Sequence, residues 1–197
     1  IMVGGRLGFV LFYHPLYFLA HPIEIFAIWQ GGMSYHGGAI GAMVSFLIFG
    51  ARYHCSTLIL LDFLGVGATL GLFLGRLSNF VNGELYGRVT TVPWGMVFPT
   101  GGPLPRHPSQ LYEAFFEGVV LFLILFFLDR YVRLMPGRLF SCYLMGYGIF
   151  RFVIEFFREP DAHLGVLWAG LSLGQYLCVV MMIFGCVFWY LCRSKVE

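Results

Sequence analysis

A succession of long apolar runs, each cut by a short polar break, constrains this chain more than any other feature. Apolar windows fall at about residues 35–51, 57–75, 111–128, 139–157 and 172–192. Each is near the ~17 to 25 residues that a bilayer-spanning helix needs. The chain therefore reads as an all-α, polytopic integral membrane helical bundle with five complete spans. A partial sixth is expected at the N-terminus, because the sequence opens at Ile1 already inside "IMVGGRLGFVLFY". That run is too short to cross a bilayer and lacks the basic region and small-residue cleavage site of a signal peptide. It reads as the end of a helix whose beginning is missing. Only 11% of residues are charged and 59% are hydrophobic, against roughly 25% charged in an ordinary soluble domain. With no like-charge run or low-complexity stretch to mark a linker, residues 1–197 are expected to form one domain.

Several function classes drop out at this stage. A net charge of +2 is no footing for nucleic acid. Cys55, Cys142, Cys178, Cys186 and Cys192 lie mostly inside the spans, with no C-x-x-C or Cys/His ligand spacing. They read as apolar filler, and neither a metal nor a cofactor is expected. Glycines within the spans, as in "GGAIGAMVSFLIFG", suit close helix packing in lipid.

The charges that remain are concentrated. The stretch "GRLSNFVNGELYGR" puts Arg76, Asn79, Asn82, Glu84 and Arg88 where a membrane helix should end. Arg76, Asn79 and Gly83 share one helix face, and Gly83 and Gly87 permit close backbone approach. In "YGIFRFVIEFFREPD", Tyr147, Arg151, Glu155 and Arg158 are four, four and three residues apart, so one face carries all of them. Glu113 and Glu117 share a face with Gln110 and can brace an arginine from another helix. Because successive spans reverse direction, His36, Arg76, Glu113, Glu117, Arg151, Glu155 and Arg158 fall on one side of the membrane. Asp62 stands near the opposite face and reads as a helix-packing residue. Intramembrane charge marks a functional site by default. Two guanidinium groups at one depth imply an anion, and guanidinium matches phosphate bidentately; a phospholipid headgroup is the anion at that depth. Counting basic residues loop by loop favours the side with Arg52, Arg130, Arg133, Arg138, Arg193 and Lys195 as cytoplasmic.

His36 lies among glycines in "GGMSYHGGAIG", where backbone and ligand both approach its ring, and histidine moves protons near neutral pH. Its alternative role is a boundary hydrogen bond. His107 in "LPRHPSQLYE" is the rival base, although Pro108 is placed to open a helix that His107 or Ser109 would cap.

Taken together and in order, "GGRLGFVLFY", "GGMSYHGG", "GRLSNFVNGELYGR", "LPRHPSQLYE" and "YGIFRFVIEFFREPD" resemble the bacterial prolipoprotein diacylglyceryl transferases over nearly the whole chain. Two departures are Ser78, where the family usually has glycine, and the absent first spanning helix with its tyrosine. The resemblance implies a multi-pass enzyme of the bacterial inner (cytoplasmic) membrane with its site toward the outer leaflet. It implies transfer of the diacylglyceryl group of phosphatidylglycerol to the lipobox cysteine of a preprolipoprotein signal peptide. A thioether forms and glycerol phosphate leaves. The resemblance further implies that His36, Arg76 and Arg151 are catalytic. By the same resemblance Arg76, Asn79, Gly87, Tyr147 and Glu155 would bind substrate, and Asn82, Glu84 and Arg158 are added to them as substrate-binding by their place in the same polar stretches. The competing class is an anion or lipid transporter with Arg76 and Arg151 lining a pathway, which predicts polar residues at many depths. A noncatalytic lipid-binding scaffold is the third.

Overall fold

A computed structural model describes residues 1–12, 15–32, 34–132, 134–159 and 171–192. Its contacts group into two compact units, Ile1–Leu60 and Leu61–Glu197.

The first unit holds α1 (Met2–Phe12), α2 (Pro15–Ala20), two 3-10 turns (Pro22–Phe26 and Ile28–Gln30) and α3 (Tyr35–Tyr53). Helices α1 and α3 cross along a seam without side chains. A methyl group on Gly8 would stand 2.7 Å from the Gly37 Cα, and one on Gly37 would strike the Gly4 carbonyl. Such close approach lets dispersion replace the hydrophobic drive that lipid does not supply between helices. Ser34 caps α3, its hydroxyl accepting from the Gly37 amide at 3.3 Å, while its own amide donates to the Gly5 carbonyl at 2.8 Å. Arg6 is buried in this unit, a charge the apolar run around it conceals. Its guanidinium donates to the carbonyls of Ile25, Gly31, Gly32 and Glu24 and lies over the Phe9 and Phe18 rings. Four of its five N–H groups are thus committed to backbone, and Arg6 ties the 3-10 segment to α1 rather than serving an anion.

The second unit is built on α4 (Thr57–Asn82), whose first turn belongs to the first unit. A rod covering Ser109–Val132 contains α5 (Ser109–Glu113) and α6 (Leu121–Phe127), with π-helical turns at Ala114–Val120 and Leu128–Val132. Helices α7 (Arg138–Ile154) and α8 (Leu173–Leu191) follow. Leu121, Leu125 and Leu139 form the dry centre, with Val66, Tyr143, Tyr147 and Phe150 packed around it. Among the described residues, Thr57–Asn82, Ser109–Val132 and Leu173–Leu191 are long and apolar enough to cross a membrane; Met2–Leu11 and Ile40–Tyr53 are shorter apolar helices. Only 11% of the most apolar stretch of α4 is buried. Apolar side chains left without protein neighbours on that scale belong in lipid, and the chain is a helical membrane protein.

Helix ends differ from the sequence reading in two places. Helix α4 runs past the apolar window to Asn82, so Arg76 and Asn79 lie within its last turns; Gly83 has left the helix, with φ +67°. Helix α7 stops at Ile154, and its face carries Tyr147, Arg151 and the capping Glu155 but not Arg158. Asp62 acts where packing was expected of it: its carboxylate accepts from the Gly137 amide at 2.7 Å and the Phe140 amide at 2.8 Å, capping α7 from α4. A carboxylate there satisfies two orphan donors and complements the helix dipole. Asp62→Asn leaves one acceptor oxygen and is expected to lower stability by about 1 kcal/mol, read as a fall of a few degrees in Tm in detergent.

Candidate active site

The site starts on the rod. Gln110, Glu113 and Glu117 present one face, and all three are fully buried. At Gly118 the rod comes so close to α4 that a Cβ would stand 2.7 Å from the Phe73 Cβ. The closeness lets a short glutamate reach an arginine near the end of α4. Arg76 Nε meets Glu113 Oε2 at 2.7 Å, and Arg151 Nη1 on α7 approaches Glu113 Oε1 at 3.7 Å. Arg151 Nη2 pairs with Glu155 Oε2 at 2.8 Å. Ser172, whose hydroxyl also caps α8, donates to Glu155 Oε1 at 2.9 Å. One line of polar contacts, Arg76–Glu113–Arg151–Glu155–Ser172, therefore crosses α4, the rod, α7 and the start of α8. Side-chain exposures of 17% for Arg76, 14% for Arg151 and 0% for Glu113 take these pairs out of the weak, water-screened class.

The turn that closes α4 is held from both sides. Asn79 and Asn82 donate to Glu84 Oε1 at 3.0 and 3.2 Å, and Asn79 Oδ1 lies 3.5 Å from Arg76 Nη1. Gln110 donates to the Glu84 carbonyl at 2.7 Å and Ser109 to the Leu85 carbonyl at 3.2 Å. These grips hold Leu85 at φ +57°, a left-handed conformation that a leucine adopts only under outside constraint. The two asparagine donors hold the Glu84 carboxyl below the usual carboxylate range. A depressed folded-state value means the contact contributes above the ordinary glutamate range, near ~4.3, and is lost as pH falls through its lower value. The turn is accordingly expected to resist proteolysis unchanged from neutral pH to about 5, and to loosen in acid below the ordinary range.

Gly87 is pressed against the Phe157 carbonyl and lies 2.8 Å, measured from a built Cβ, from His107. Its amide donates to the His107 carbonyl at 2.8 Å, and its backbone bridges antiparallel to Arg158. The glycine is needed because two chain segments meet there. Arg158 thus sits on a turn docked to residue 87, and its guanidinium has no hydrogen-bond or ion-pair partner among the described residues. Arg76 Nη2 likewise has none. Both point to unused anion-binding capacity beside a line of pairs that is otherwise internally neutralised. Tyr147 is half-buried, stacked on Tyr143 with 6.0 Å between ring centroids, and has Glu117, Arg151 and Arg76 in its surroundings.

His36 lies in the first turn of α3, in the first unit; its side chain is outside the described atoms. His107 is engaged: the Trp94 indole donates to the Tyr112 hydroxyl at 2.7 Å, and that hydroxyl lies 3.2 Å from His107 Nδ1. Pro108, not His107 or Ser109, occupies the cap position, because Ser109 already opens the helix and spends its hydroxyl on Leu85. Among the described residues, no group of His, Cys, Asp and Glu has a metal-holding arrangement.

The sequence matches the prolipoprotein diacylglyceryl transferase family over residues 1–191. This chain belongs to that family. A phosphatidylglycerol–prolipoprotein diacylglyceryl transferase of Wolbachia sp. subsp. Brugia malayi is 54% identical, the match covering 95% of this chain and 72% of that protein. Its counterpart in Zymomonas mobilis is 52% identical over 99% of this chain and 68% of the relative. That in Paracidovorax citrulli is 50% identical over 99% and 73%. Sequence reasoning toward this transferase family overlooked Ser172 and the Trp94–Tyr112–His107 chain. Glu113 it placed only as a brace, though three polar residues on one face of an apolar rod were the signal.

Proposed function

We propose that this chain transfers the diacylglyceryl group of phosphatidylglycerol to the lipobox cysteine of a preprolipoprotein signal peptide, forming a thioether and releasing glycerol phosphate. The observation that carries the proposal is the pair Arg76 and Arg151, drawn to one buried carboxylate inside a membrane protein of this family. A fixed pair of guanidinium groups suits a phosphodiester whose negative charge grows as its carbon–oxygen bond breaks. Glu113 and Glu155 set the two arginines, and Asn79, Asn82, Glu84 and Gly87 hold the turn beside them. Tyr147 and Arg158 complete the headgroup's surroundings.

A thiol of pKa near ~8.5 must lose its proton before it attacks carbon, and His36 is assigned that proton. The two units work as one transferase domain in the bacterial inner membrane, with the arginines at outer-leaflet depth. The test is transfer of labelled diacylglycerol from phosphatidylglycerol vesicles to a lipobox peptide, beside its Cys→Ala version. Label on the cysteine peptide alone is expected. Label on neither peptide would leave only a lipid-binding or transport role.

A further inference from the structure

Glu117 is the one member of the buried acidic face that the arrangement above does not use. It is fully buried, and neither carboxyl oxygen has a hydrogen-bond partner among the described residues. Glu113 is paired with Arg76 and Arg151, and Glu155 is paired with Arg151 and accepts a hydrogen bond from Ser172. Among the described residues no ion pair reaches Glu117, although it sits one π-helical turn further into the rod on the same face. Such turns, rare in themselves, recur at functional sites. The groups that surround it come from every packed element: Glu113 on the rod, Arg76 on α4, Arg151 and Tyr147 on α7, Arg158 beyond α7, and Cys178 on α8. An ionised carboxyl group without a partner inside hydrocarbon costs several kcal/mol, whereas a carboxylic acid there has an O–H to offer. The acid lies on the same buried face as Glu113, which holds the two arginines assigned to the phosphate.

We propose that Glu117 is a further catalytic residue, the general acid that protonates the departing phosphate oxygen. The inference rests on the transferase reading above. The thiolate forms the new sulfur–carbon bond, the carbon–oxygen bond to phosphate breaks, and its electron pair stays on oxygen. A phosphodiester with one negative charge would leave as a monoester with two. The proton from Glu117 holds it at one, and the charges of Arg76 and Arg151 favour the new carboxylate. The proton taken from the thiol restores Glu117, so nothing is consumed over the cycle.

The test compares the unaltered chain with Glu117→Gln in phosphatidylglycerol vesicles with a lipobox peptide, across pH. Glutamine keeps the shape but has no proton to give. A fall in kcat of about 100-fold is expected, as for loss of a general acid, with KM for the lipid within about threefold. The alkaline decline of the unaltered chain is expected to vanish in the variant. Should Glu117→Gln not yield a folded protein, Glu117→Asp is read instead: it should keep the alkaline decline at a kcat reduced about tenfold. Turnover of Glu117→Gln within threefold of the unaltered chain would overturn the role, as would a reduced kcat with an unchanged pH profile in Gln or the decline lost in Asp. In these cases the unaltered chain still transfers label, so the functional reading survives. No transfer by the unaltered chain would overturn both.

Discussion

Arg151→Lys is expected to lower transfer about 100-fold or more, the scale seen when one preorganised donor to a developing anion is removed, while the protein still inserts in the membrane. Arg151 addresses two carboxylates at once, Glu113 at 3.7 Å through Nη1 and Glu155 at 2.8 Å through Nη2. A lysine ammonium is a point charge on a flexible stem and cannot span both while keeping an edge for phosphate. It would settle on Glu155, one helical turn away, and leave Glu113 to Arg76. The effect should therefore fall on kcat more than on KM for the lipid. Arg76→Lys is expected to behave in the same way, losing also the Nη1 contact to Asn79. Near-normal turnover with lysine at either position would reduce these residues to general electrostatics.

Glu113→Gln is expected to have the largest effect on stability, about 3–5 kcal/mol, because removing one partner of a buried pair leaves uncompensated charge behind. Here the loss strands Arg76 and removes one of the two carboxylates that hold Arg151. Arg76 keeps only a long contact to an amide, and Arg151 keeps Glu155. Thermal unfolding in detergent reads the effect. The double variant Glu113→Gln with Arg76→Met should be less destabilised than the single changes add up to, since residues in one network couple. Strict additivity would mean that the 2.7 Å pair contributes little.

Much of this arrangement can be read from spacing, where the partner lies on the same helix. Arg151 and Glu155 are four apart, and the pair forms as the helical repeat dictates. Gln110, Glu113 and Glu117 were legible as one face for the same reason. The identity of a partner on another helix was not legible: nothing near Glu113 in sequence says that Arg76, not only Arg151, would reach it, because Gly118 and Phe73 set that distance. Arg158 misled for a local reason. The three-residue spacing continues the face only if the helix continues, and the backbone instead turns after Ile154 to pair with Gly87. Asp62 was legible as structural, but its target, the amides of Gly137 and Phe140, belongs to tertiary structure. Arg6 shows the converse, a buried charge in plain view whose four carbonyl partners come from a segment 18 to 26 residues away.

The line of contacts from Arg76 to Ser172 also has an order in time. A ribosome delivers Arg76 first, then Glu113, then Arg151, then Glu155, so the signs along this line run positive, negative, positive, negative. Arg76 lies in the last turns of its helix, where a long side chain can reach the headgroup region while it waits. The rod then arrives carrying the carboxylate that lets the arginine withdraw into hydrocarbon, and α7 arrives carrying both a second cation for Glu113 and that cation's own counterion. Each helix entering the bilayer thus neutralises its predecessor, so biogenesis can assemble a buried charge cluster without burying an unpaired charge at any step.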